Sequence, residues 1–76
     1  MVKLIRQIDR HEGAIVAEWW ILDGVPYHLG QQLKGKGFVW IKGPDGGAWV
    51  TKHKENVQPL IDAGMEVITI DPYKSQ

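Results

Sequence analysis

Two turn signals limit what this chain can fold into. Asp23-Gly24 ends the run Ala14–Leu22, and Gly43-Pro44-Asp45-Gly46 separates residues 37–42 from 48–52. The flanking runs are rich in β-branched and aromatic side chains, which suit a pleated surface. Asp-Gly supplies two residues that tolerate positive φ, as a tight hairpin requires. It predicts pairing of Leu22 with Val25, Trp20 with Tyr27 and Glu18 with Leu29. Trp19 would then meet His28 on the other face, with Pro26 on an edge strand. In the second signal, Pro presets φ for a type I turn and Gly takes the left-handed position. A three-residue loop of that form pairs Trp40 with Val50 and Ile41 with Trp49.

The remaining segments complete a small α+β pattern. Val2–Ile8 alternates weakly and reads as a strand, although Val2, Ile5 and Ile8 also suit a helical turn. Residues 30–37 form a polar connection with three glycines. After Lys54 the period changes, with Val57, Leu60 and Ile61 at helical spacing. Asn56 is the expected N-cap and Gly64 the expected C′ residue, and Pro59 restricts the helix to a short element near 56–64. Met65–Ile70 is a β-branched run that Asp71-Pro72 terminates. The expected fold is a small antiparallel sheet, made of two hairpins and a C-terminal strand, with one short α-helix packed on it. With 76 residues, the chain is expected to form a single globular domain over 1–76. So short a chain has a thin core, and four Trp compensate for that.

Catalytic raw material is scarce. There is no Cys, and Ser75 is the single serine. Thr51 and Thr69 lie within strand runs, where ladder packing is the ordinary use of Thr. No nucleophile–base pair results, so the chain is read as a non-enzyme. His11, His28 and His53 are too widely spaced for a helical ligand pair, and neither metal nor cofactor is expected. Asp23 and Asp45 serve turns. Glu18 interrupts an apolar run, which puts it on the solvent face of an amphipathic strand or makes it a buried functional carboxylate. Gly35-x-Gly37 precedes a strand, so it lacks the helix N-terminus that phosphate loops use. No apolar run is long enough to span a bilayer, and Met1–Arg10 has no uninterrupted apolar stretch of the signal-peptide kind. A cysteine-free chain is compatible with a reducing cytosol, and a cytoplasmic location is the expectation.

Charge is uneven although the net is zero: residues 30–54 carry five lysines against Asp45, a local +4. Lys34, Lys36, Phe38, Trp40, Lys42, Val50, Lys52 and Lys54 all fall at even positions. Strands at 37–42 and 48–52 would place them on one face, with rings at its centre and ammonium groups around it. Such a face can stack bases and track phosphates. Lys34-Gly35-Lys36-Gly37-Phe38-Val39-Trp40-Ile41 is similar to the ribonucleoprotein pattern of the RNA-recognition family, K/R-G-F/Y-G/A-F-V-x-F/Y. Lys34, Gly35, Gly37, Phe38 and Val39 match it, whereas Lys36 and Ile41 stand at its aromatic positions. The resemblance implies a base-stacking role for Phe38 alone. It does not extend to the fold, because two hairpins are expected where that family has a helix between its first two strands.

Adjacent Trp19 and Trp20 must face opposite sides of a strand, and the expected register puts Trp40 and Trp49 on opposite faces too. At least two Trp would then lie on the face that the helix leaves uncovered. The chain is accordingly expected to be a binding module. Its partner is single-stranded nucleic acid, held by Phe38 and Trp40 with Lys34, Lys36, Lys42, Lys52 and Lys54, or a protein that meets the Trp-bearing face of a small inhibitor or adaptor. Homodimerisation through that face is a further possibility.

Overall fold

The computed structural model describes residues 2–43 and 46–72. Five strands form one sheet: β1 (Lys3–His11), β2 (Ala14–Asp23), β3 (Val39–Gly43), β4 (Gly46–Thr51) and β5 (Val67–Ile70), in the order β3-β4-β2-β1-β5. Short 3-10 segments at Gln31–Lys36 and Lys54–Asn56 and a single helix, α1 (Gln58–Asp62), make up the rest of the regular structure. The sheet is mixed and not wholly antiparallel, because β5 runs parallel to β1. A parallel pair needs a crossover of about a dozen residues or more. Residues 52–66, which carry α1, make such a crossover from β4 past β2 and β1 to β5, which runs in the same direction as β4.

The first hairpin lies upstream of the expected one. Glu12 (φ 53°) and Gly13 (φ 86°) form its turn between β1 and β2. Two consecutive positive φ values match the twist of the flanking strands. Glu is an uncommon occupant of that position, which hid the turn in the sequence. Asp23-Gly24 instead ends β2 without starting a partner strand. Gly24 (φ 97°) turns the chain off the sheet, and the Pro26 carbonyl accepts the N–H groups of Leu29 and Gly30. Trp20 therefore pairs with Arg6 and Thr51, not with Tyr27, and Trp19 pairs with Gln7, not with His28.

The second hairpin forms with a register one residue away from the expected one. Pro44 and Asp45 lie outside the described residues, but Gly43 pairs with Gly46 and Trp40 with Trp49. A one-residue slip moves every side chain of a strand to the other face. Trp40 and Trp49 consequently share a face, in edge-to-face contact at 5.3 Å. Val39 and Val50 pair on the opposite side. Gly47, across from Lys42, leaves the space that the Trp40 ring fills.

Both long connections, 24–38 and 52–66, pack on the same side of the sheet. Leu4, Trp20, Leu22, Phe38, Trp49 and Val57 form the core there, flanked by Val25, Leu33, Leu60, Ile61, Met65 and Val67. The expected face of the helix is therefore the buried one. Its end is also as expected: Gly64 (φ 100°) donates to Ile61, and Met65 donates to Leu60, both through the backbone. These two bonds satisfy carbonyls that the last turn would leave open. Its start differs, because Val57 is the N-cap and makes no side-chain capping bond. Asn56 instead donates from Nδ2 to Thr51 Oγ1 at 2.9 Å, tying the crossover to the end of β4.

Gly30 is packed against Trp49 so closely that a Cβ there would fall on the indole Nε1. Since Trp49 is fully buried, it has no room to yield. Gly30→Ala is expected to cost about 1–3 kcal/mol through overpacking, measured as a lowered urea midpoint at unchanged m.

Candidate binding surfaces

Register divides the predicted site between two faces. Phe38, Trp40 and Lys42 point to the covered side, whereas Val50 and the position of Lys52 belong to the other. The single even-numbered face therefore does not exist. Phe38 is only 3 % exposed and belongs to the core, so no base can stack on it without opening the fold. Lys36 ends the first 3-10 segment and Lys54 begins the second, both exposed.

Part of the predicted set does converge. Lys34, Phe38, Trp40 and Lys42 line one groove along β3, together with Val39, Gly46 and Tyr27. The sequence places Tyr27 on a strand opposite Trp20. It instead stacks on Trp49 at 5.6 Å and meets the edge of Trp40 at 5.4 Å. Lys34 Nζ donates to its hydroxyl at 2.7 Å and lies 4.9 Å from the ring centroid. Hydrogen bonds from Lys34 and Gln31, then the charge of Lys34, hold the Tyr27 phenol below its ordinary value of 10.0. A depressed folded value contributes stability that is fully present above 10.0 and is lost as pH falls through the folded value. Spectrophotometric titration is expected to find one tyrosine ionising early, lost in Tyr27→Phe and moved back up in Lys34→Met.

The second surface is the side of the sheet that no described segment crosses. The register places Val39, Val50, Ile21, Ile5 and Ile68 in one line across all five strands. Each is β-branched and apolar. The ends of the line stand out to solvent, Val39 at 56 % and Ile68 at 41 % exposure, with Ile41 and Ile70 beside them also exposed, while Ile5 and Ile21 are half-buried and Val50 is buried. Trp19, Ile21, Ile41, Ala48 and Val50 border a shallow hollow on this side. Trp19 is fixed in place, donating from Nε1 to Asp9 Oδ2 at 3.0 Å, with Lys52 Nζ 4.4 Å from its ring centroid. It is the one tryptophan on the open side, because Trp20, Trp40 and Trp49 all point the other way. Lys52, expected to meet phosphates beside Trp40, is thus a neighbour of Trp19.

Among the described residues, no group of three or more His, Cys, Asp or Glu side chains is placed to hold a metal ion. All three histidines are exposed. Glu18 fits neither sequence expectation cleanly: it is half-buried and accepts two hydrogen bonds from Arg6, at 2.9 and 2.6 Å. Thr51 is buried and structural, accepting from Asn56 and from the His53 backbone. No helix among the described residues is long and apolar enough to cross a membrane. No family model, curated protein or solved structure matches the chain.

Proposed function

We propose that this protein is a non-catalytic binding module that acts by protein–protein contact through the open face of its sheet. The supporting observation is the unbroken apolar line Val39–Val50–Ile21–Ile5–Ile68, with Ile41, Ile70 and Trp19 beside it. Scattered surface apolar residues need no explanation, but here Val39, Ile41, Ile68 and Ile70 are exposed on one sheet face and joined through half-buried Ile21 and Ile5, a grouping that favours an interaction surface. Trp19 gives the patch a rigid aromatic anchor of the kind that dominates interface energetics.

The test is retention of proteins from a nuclease-treated lysate on the immobilised chain, compared with the double variant Val39→Glu/Ile68→Glu. Both residues are exposed, so the variant should keep its fold while losing what the wild type retains. Retention that survives the double change would remove the open face from the account.

A second reading is supported by the groove along β3. Tyr27 and Trp40 present aromatic surface there between Lys34 and Lys42, a combination that suits single-stranded nucleic acid. On this reading Tyr27 replaces Phe38 as the stacking residue. Tyr27→Ala should cost about 1–3 kcal/mol of oligonucleotide affinity, and Lys42→Gln should flatten the salt dependence by about 0.7 units. Absence of Trp fluorescence quenching by any oligonucleotide at low salt would end that reading.

A further inference from the structure

We infer that the occupant of the open face is a second copy of this chain, the two sheets packing face to face about a two-fold axis. This rests on the reading of the open face as a protein-binding surface and names its partner.

The first support is symmetry in the register. Ile21 lies on β2, the middle strand of the order β3-β4-β2-β1-β5. A two-fold axis running along β2 therefore sets Ile21 over its own counterpart. The same axis sets Val50 over Ile5 and Val39 over Ile68. Every position in the line meets an apolar residue, as an isologous interface requires. Trp19, on the same strand as Ile21, falls near its own counterpart and extends the contact.

The second support is charge. Lys3 and Asp23 are register partners at one border of the line, and Asp9 and Lys52 flank Trp19 at the other. Each border carries both signs: the axis brings Asp23 near its own counterpart, and the Lys3 beside each Asp23 offsets that like-charge approach. A partner of strong single-sign charge would find no complement there. The chain as a whole has zero net charge at pH 7, which leaves no long-range repulsion between copies.

The third support is size. Five strands at about 4.8 Å spacing and five residues at about 3.3 Å give a footprint of roughly 24 by 17 Å. That projection, about 400 Å² per partner, is about half of a standard interface and suits a weak dimer that dissociates on dilution. Two sheets packed in this way stand about 10 Å apart.

Sedimentation equilibrium of the purified chain tests the inference. The expected result is a species of twice the 8.6 kDa chain mass at roughly 100 µM, dissociating on dilution. Val39→Glu/Ile68→Glu should weaken it about 100-fold or more by burying charge in the interface, with an unchanged far-UV circular dichroism spectrum. Ile70→Lys, at another exposed position of the face, is the independent check should the double variant not fold. Tyr27→Ala, on the covered side, should leave the dimer intact. A monomer at every concentration overturns the inference, as does a dimer that persists in the folded face variants. A monomeric chain that still retains a different protein through Val39 and Ile68 overturns self-association alone and leaves the proposed function standing. Loss of both would end both.

Discussion

Trp49→Ala is expected to bring this domain to the edge of unfolding at 25 °C. Trp49 is 0 % exposed and contacts Trp40 and Tyr27 through its ring. Truncating a fully buried aromatic residue costs about 3–5 kcal/mol. A chain of 76 residues has a total stability of about 4–11 kcal/mol at typical per-residue values. One substitution thus removes about a quarter of the whole or more. Trp40→Ala should cost much less, about 1–2 kcal/mol, because its ring is half-exposed and its loss removes mainly edge contacts. Urea unfolding followed by circular dichroism reads both values. Equal losses would mean that Trp40 is as deeply packed as its partner, contrary to its half-exposed ring.

The second large effect concerns Arg10 and Asp71. Arg10 donates from Nε and Nη2 to the two carboxylate oxygens of Asp71 at 2.9 and 2.8 Å, and the Asp71 side chain is only 2 % exposed. Arg10→Leu removes the bidentate partner of a buried charge, an omission that costs about 3–5 kcal/mol. The double change Arg10→Leu/Asp71→Leu should recover part of that loss, since the carboxylate that Arg10 neutralised is removed as well. Arg6–Glu18 makes a useful contrast. Its side chains are about a third exposed, and its removal should cost only about 1 kcal/mol or less, with greater sensitivity to salt. A double-mutant cycle on each pair separates the two cases.

The local grammar of the chain was readable; its pairing partners were not. Val57, Leu60, Ile61 and Gly64 announce a short helix because their spacing and the left-handed glycine each have a single common use. The β-branched runs likewise announce strands. What the runs do not carry is which neighbour each strand takes. Asp23-Gly24 offered a better hairpin turn than Glu12-Gly13, yet β1 outcompetes residues 25–30 because it pairs with β2 over its whole length. The Pro44-Asp45 loop allowed two registers one residue apart, and each buries a different tryptophan set. Contact of Trp40 with Trp49 on the covered side goes with only one of them. The predicted site suffered directly, because its seven residues were grouped by parity across that hairpin. Lys52 moved to Trp19 and Phe38 into the core. Tyr27 entered the groove from a loop that parity could not place. The apolar line across the sheet was invisible for the same reason: its five members come from five strands and align only when every register is known.

The pairing of β1 with β5 also orders events in time. Leu4 meets Val67 across nearly the full length of the chain, and the Arg10–Asp71 clasp joins residues almost as distant. During synthesis the first hairpin emerges early and its β1 edge stays bare until the last strand leaves the ribosome. An unpaired edge beside apolar side chains is the feature that recruits foreign strands. Closure over so long a loop is also slow compared with closure of either hairpin. Ribosome-bound chains that end before Val67 should therefore be the form of this protein most prone to aggregate.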